Sequence, residues 1–205
     1  MTEILVVYYS RFGATEALAR EVCRGVDSVA TARSRLRTVP AVSAVTGERE
    51  PAVPESGPPY ATGDDLNSCD GLILGSPTRF GNMAAPLKYF VDGSGTEWAK
   101  GTLSGKPAAV FTSTSTLHGG QESTLLSMAL PLIHHGMLFV GIPFTESLLS
   151  TTTTGGSPYG ASHTTWNRDA DRLSDDEKGL ARILGRRVAD IAVRLRPADR
   201  DSGPA

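Results

Sequence analysis

The chain has 205 residues, 40% hydrophobic and 20% charged, with 20 Lys+Arg against 22 Asp+Glu and a formal net charge of −2. That size and apolar fraction fit one domain over residues 1–205 with a continuous core, and the near-neutral balance excludes the basic footprint of a nucleic-acid groove or a polybasic membrane contact. No apolar run is long enough to span a bilayer, so no membrane insertion is expected.

The first element is a strand. Ile4–Tyr9 is apolar throughout, breaks at the turn Ser10-Arg11-Phe12-Gly13-Ala14-Thr15, and gives way to a helical period from Ala14 with Leu18, Val22, Val26 and Val29/Ala30 on one face. Because the sequence enters a strand at once, no signal peptide is expected. Strand, tight turn and helix make an anion cradle, because the first N–H groups of a helix have no internal partner and its dipole adds partial positive charge there. Ser10 and Thr15 can add hydroxyl donors, and Gly13 lets the backbone approach closely. The turn lacks the G-x-G-x-x-G of dinucleotide sites. The nearest match to a Walker A loop, Gly101 to Pro107, has the wrong spacing and no Ser or Thr after Lys106.

Arg33, Arg35 and Arg37 alternate with Ser34, Leu36 and Thr38, which predicts a weak edge strand over Arg33–Val39 with its arginines solvated. Residues 40–62 carry five prolines and no periodicity, and read as an irregular surface loop. Cys23 and Cys69 stand apart without metal-site spacing. They read as small core residues of a reducing compartment, the cytoplasm, with no metal site expected.

Further strand-like runs at Gly71–Gly75, Ala108–Thr112 and Met137–Val140, with amphipathic stretches between them, predict a parallel α/β sheet. Five strands in the doubly wound order 2-1-3-4-5, with helices on both faces, place ligands outside the carboxyl ends of the strands, just after them at Ser10, Ser76 and Ser113. Ser76-Pro77-Thr78-Arg79-Phe80-Gly81-Asn82, ahead of a helix near Ala84, suits a flat heteroaromatic ring whose apolar surface Phe80 covers. A second donor-rich loop, Ser113-Thr114-Ser115-Thr116-Leu117-His118, opens a helix over 122–135. By position alone His134 and His135 are helix C-terminal residues ahead of Gly136.

Residues 144–173 are rich in Thr, Gly and Ser and too long for a simple connector, with Thr151–Thr154 a flexible low-complexity stretch. Ser174-Asp-Asp-Glu177 is a capping box that opens the last helix, and residues 196–205 read as a disordered tail. The absence of a G-x-S-x-G elbow argues against a serine hydrolase.

Taken together, Ser-x-x-Gly-x-Thr at 10–15, the 76–82 and 113–122 loops, Glu97-Trp98-Ala99, His134-His135-Gly136-Met137 and Ser157-Pro-Tyr-Gly-Ala161 closely resemble the WrbA-type NAD(P)H:quinone oxidoreductases. The resemblance covers nearly the whole chain. It implies a flavodoxin-like fold, one FMN per chain, NADH or NADPH as co-substrate, and two-electron reduction of a quinone by ping-pong turnover at one open flavin face. It implies that residues 10–15 hold the FMN phosphate and that residues 77–82 and 113–118 hold the ring. His134 would lie near the flavin, and Trp98, contributed by a neighbouring subunit of a homotetramer, would line the substrate side. Phe12 stands where many members carry Tyr. His163 and Trp166 receive no role, and His118 faces either flavin or substrate. Two rivals remain: a flavodoxin-type electron carrier, which would be expected to be more acidic, and a regulatory FMN-binding protein, for which no basic DNA footprint exists.

Overall fold

β1 (Thr2–Tyr8) is buried on both sides, and its alternate residues feed two different cores. Ile4, Val6 and Tyr8 face α1 (Ala14–Asp27) and α7 (Asp175–Leu195), while Leu5 and Val7 face α2 (Gly63–Ser68), α3 (Ala85–Asp92) and α5 (Gln121–His134). A strand that is apolar on both faces belongs at the centre of a parallel sheet covered on both sides. The computed structural model describes residues 1–43, 45, 51, 53–165, 169 and 171–196. Trp166 and residues 197–205 of the expected tail therefore lie outside the described residues.

β1 pairs in parallel with β2 (Ala32–Thr38) and with β3 (Gly71–Arg79), β3 pairs with β5 (Pro107–Thr114), and β5 pairs with β6 (Leu138–Phe139). Counting these five strands in chain order gives 2-1-3-4-5, the expected doubly wound topology. α1 and α7 cross almost backbone to backbone. A methyl group on Gly25 would lie 2.0 Å from the Arg182 carbonyl oxygen, and one on Gly185 would lie 2.1 Å from that of Val22.

Several expectations need correcting. The first helix ends at Asp27, and Ala30 is exposed rather than part of its apolar face. The arginines of the edge strand are not merely solvated. Arg33 and Arg35 pair with the buried Glu3, and Arg35 and Arg37 reach the buried Asp65 at 3.1 and 3.2 Å. Two carboxylates sunk at the rim of the sheet need cations, and alternation on β2 delivers three to one face.

Residues 76–79 are not loop but the end of β3, which turns at Phe80-Gly81 into β4 (Asn82–Met83) as an antiparallel hairpin. The segment 144–173 is the largest departure. It contains α6 (Leu148–Thr151) and a buried strand, β7 (Ala161–Thr164), which pairs with Phe111–Thr114 of β5. The fifth strand position is thus filled twice along β5, by β6 beside Pro107–Ala108 and by β7 beside its carboxyl half. Thr152 and Thr154 are tied down by bonds to the Gly155 carbonyl and the Ser174 hydroxyl, both at 2.9 Å.

Candidate active site

The turn after β1 is held open by its own atoms. Gly13 sits in the left-handed region at φ +88, which glycine enters at no steric cost, and its N–H donates to Ser10 Oγ at 3.1 Å. It is the N-cap of α1, and no side chain caps that helix. The N–H groups of the first turn are therefore available to an anion at the cleft that Ala14 and Thr15 line. The cleft, about 160 Å³, is also lined by Ser10, Arg11 and Phe12, by Pro77, Thr78 and Arg79, and by Ser113, Thr114 and Ser115. The three turns at the carboxyl edge of the sheet thus meet.

Thr15 and Ser113, both buried, share a hydrogen bond of 2.8 Å between their hydroxyls, which joins the first turn to the third. Ser76, singled out for its place after a strand, is fully buried and structural. Its hydroxyl donates to the Pro77 carbonyl and accepts from the Ala84 N–H, which docks the start of α3.

The Phe80-Gly81 turn has positive φ at both central residues, 54 and 80, as a two-residue type I′ hairpin needs. Phe80 is the non-glycine residue at positive φ among the described residues, and its ring is fully exposed at 106%. The hairpin is seated on α5 by a 2.8 Å bond between the Thr78 and Thr124 hydroxyls and by Ser127 Oγ, which donates to Asn82 Oδ1 at 3.3 Å. The strained residue thus follows directly on Arg79 of the cleft wall.

The third loop divides. Ser113 to Ser115 line the cleft, whereas Leu117 and His118 turn to a separate open hollow with Thr152, Thr153 and Thr154. Thr116 is held inward by its carbonyl, which accepts from Thr114 Oγ1 at 2.7 Å. Thr165 also lines the cleft and was not expected there. Its only sequence signal was the β-branched run Thr164-Thr165 inside a segment rich in loop residues. On the far side of Arg11 and Arg79 runs an open groove of about 630 Å³, which also takes in Tyr9, Met83 and Lys88.

His134 and Trp98 are brought together, but not at this chain's own cleft. Their rings stack at 5.7 Å with 25° between planes, and Trp98 Nε1 donates to the His134 carbonyl at 3.2 Å. α5 starts beside the cleft and its 14 residues carry His134 about 21 Å along the sheet, to the amino ends of the strands. α3 and α4 (Gly95–Ala99) take Trp98 the same way. His135 packs inward, bonded through Nε2 to Ser94 Oγ at 2.9 Å, and its pKa is lowered by burial and by the neighbouring His134. Burial pushes both cysteine thiols up to about 11, which disfavours the thiolate. Among the described residues no cluster of His, Cys, Asp and Glu could hold a metal, and no helix is long and apolar enough to cross a membrane.

Residues 3–145 match the family model of NADPH-dependent FMN reductase. The chain is 44% identical over 200 residues to a protein of Syntrophobacter fumaroxidans named NAD(P)H dehydrogenase (quinone), covering 94% of this chain and 98% of that one. A protein of Geobacter sulfurreducens with the same name is 43% identical over 199 residues, with the same two coverages. Among solved structures, a WrbA-like flavodoxin from Agrobacterium tumefaciens superposes with a TM-score of 0.66 at 24% identity, over 96% of this chain and all of that one. A flavodoxin from the domain Archaea gives 0.61 at 19%, over 94% of this chain and 99% of that one. These two likenesses bear on the fold, which is flavodoxin-like.

Proposed function

Because the chain belongs to the NADPH-dependent FMN reductase family, alongside relatives named NAD(P)H dehydrogenase (quinone), we propose that it binds FMN and uses NADH or NADPH to reduce quinones to hydroquinones. The observation that carries this is the uncapped start of α1 at Gly13, opening into a cleft where three strand ends converge. The residues present fit FMN. A terminal phosphate suits the first-turn N–H groups and the Ser10 hydroxyl. One such cradle opens into this cleft, which suits one terminal phosphate and so one FMN per chain rather than FAD.

A bound flavin supplies the hydride and electron chemistry; the chain supplies position. Ser10 to Thr15 anchor the phosphate end. Pro77, Thr78 and Arg79 with Ser113 to Ser115 form the walls, and Phe80 is held at the hairpin tip beside the opening. Leu117 and His118 lie on the neighbouring hollow, where they meet the rim of a ring site rather than its wall. Donor and acceptor use one opening in turn, so turnover is ping-pong.

At about 160 Å³ the cleft accommodates the phosphate and sugar chain, and a flat ring has to lie in the open mouth. A second copy closes that mouth. Trp98, 52% exposed, and His134 sit far from their own cleft beside exposed Leu126, Leu130 and Ile133, which share one face of α5 at helical spacing. Such an apolar stripe invites a partner, and self-association into a homotetramer brings Trp98 and His134 to a neighbour's flavin. The cytoplasm supplies the reduced nicotinamides that this reaction consumes. An electron carrier without turnover fits less well, since a net charge of −2 gives little steering toward basic partners.

The test is direct. FMN-loaded protein oxidises NADH or NADPH when benzoquinone is present and not in its absence; a protein that binds FMN but shows no quinone-dependent oxidation is a carrier.

A further inference from the structure

We propose that the groove bounded by Arg11, Arg79 and Lys88 is a phosphate subsite that receives the 2′-phosphate of NADPH, so that the chain selects NADPH over NADH. The inference rests on the quinone-reductase reading above and deepens it by naming the donor. Arg11 and Arg79 line both the cleft and the groove, so the two spaces share a wall. Lys88 lines the groove alone, on the solvent side of α3. A nucleotide whose reacting ring enters the cleft mouth therefore has a path that passes two guanidinium groups and ends at an ammonium.

The three cations are open to an anion to different degrees. Arg20, Arg24, Arg33, Arg35, Arg37 and Arg182 are all engaged with carboxylates. Arg11 and Arg79 have no carboxylate partner among the described residues. The Arg11 guanidinium lies 5.2 Å over the Phe12 ring, and Arg79 Nη1 donates to the Thr78 carbonyl at 2.7 Å. Lys88 pairs with Asp92 at 2.5 Å, but both side chains are more than half exposed, and such a pair is readily exchanged for a phosphate.

No Asp or Glu is among the groove's described lining residues. A carboxylate that accepts from the ribose 2′-hydroxyl is how NAD is preferred, and a nearby cation is how a 2′-phosphate is accommodated. In a chain of net charge −2, two guanidinium groups without a carboxylate partner among the described residues, beside a Lys88 that can exchange its exposed Asp92, draw in the more highly charged nucleotide. Met83, Ala85 and Pro86 give the same groove an apolar strip against which an adenine can lie.

Calorimetric titration of the FMN-loaded protein with 2′,5′-ADP and with ADP reads the subsite without turnover. We expect 2′,5′-ADP to bind about ten-fold more tightly than ADP and Lys88→Gln to erase most of that difference, as for one lost charge-assisted hydrogen bond. In kinetics, Lys88→Gln raises KM for NADPH about ten-fold at constant kcat and shifts KM for NADH by less than about two-fold. Lys178→Gln on α7 removes one charge elsewhere and leaves both titrations unchanged. Equal affinity for ADP and 2′,5′-ADP, or the same loss in Lys178→Gln, overturns the subsite. Oxidation of NADPH and NADH with the same KM overturns the subsite and leaves the quinone-reductase reading standing. Selective 2′,5′-ADP binding without quinone-dependent NADPH oxidation does the reverse.

Discussion

His163 Nδ1 lies 2.9 Å from Glu177 Oε2, with both side chains fully buried beneath the candidate active site. Glu177 also accepts from the N–H groups of Gly155, Thr164 and Ser174, at 2.9, 3.2 and 2.8 Å. One carboxylate thus caps α7 and ties Gly155 and Thr164 of the 144–173 segment to it. His163 is the register partner of Ser113, whose hydroxyl meets Thr15, so the network is continuous with the turn after β1.

Burial by itself would raise the Glu177 pKa. The hydrogen bonds from His163 and from the Ser174 and Gly155 N–H groups outweigh it and hold the carboxyl at about 2, against an ordinary 4.5. A pKa depressed on folding stabilises above the unfolded value, and that stabilisation is lost as pH falls toward the folded value. Its size is about 3 kcal/mol. Urea unfolding of wild type and Glu177→Gln at pH 7 and at pH 3 checks this: the wild-type advantage is large at pH 7 and shrinks at pH 3. An advantage that does not change with pH would mean that the carboxylate's charge is not what stabilises the fold.

Thr15→Ala costs FMN roughly 1.5–3 kcal/mol of affinity, the range for a hydrogen bond to a charged group. Because Thr15 and Ser113 bond each other, Thr15→Ala and Ser113→Ala are non-additive when combined. Fluorescence titration of FMN into the two single variants and the double variant gives the coupling, and unchanged affinity in Thr15→Ala rules out the phosphate assignment.

Phe80 occupies φ 54, where a non-glycine residue costs about 1 kcal/mol or more. Asn tolerates that region, so Phe80→Asn raises the melting temperature by a few degrees while lowering kcat/KM for quinone. Thermal unfolding and steady-state assays on one preparation separate the two effects. A variant that gains no stability removes the strain argument.

Trp98→Ala leaves FMN content nearly intact while quinone kcat/KM falls about 10-fold, equivalent to roughly 1.4 kcal/mol of lost transition-state contact. Dilution that dissociates the assembly lowers activity in step with particle mass, measured by light scattering. A fully active monomer, or a Trp98→Ala protein that loses FMN and keeps its quinone kinetics per bound flavin, contradicts the shared site.

The parts of this protein that local rules govern were legible in its residues. β1 followed from an unbroken apolar run, α1 from a 3.6-residue period behind Gly13, and α7 from the Ser174–Glu177 capping box, because each is decided by neighbours a few positions away. The order 2-1-3-4-5 followed from alternating strands and helices.

What pairs across long sequence separations was not legible. Ala161–Thr164 is too short and too polar to announce a strand, and it is one because β5 has a free carboxyl half and Glu177 supplies hydrogen-bond partners for the polar groups that strand buries. The cations of β2 looked solvent-bound until Glu3 and Asp65 were placed beneath them. Motif likeness named Trp98 and His134, but only the tertiary structure set them together at the amino ends of the strands, a helix length from their own cleft. Periodicity specifies which face of an element is apolar; which surfaces then meet is settled by packing and by the pairing of buried charge.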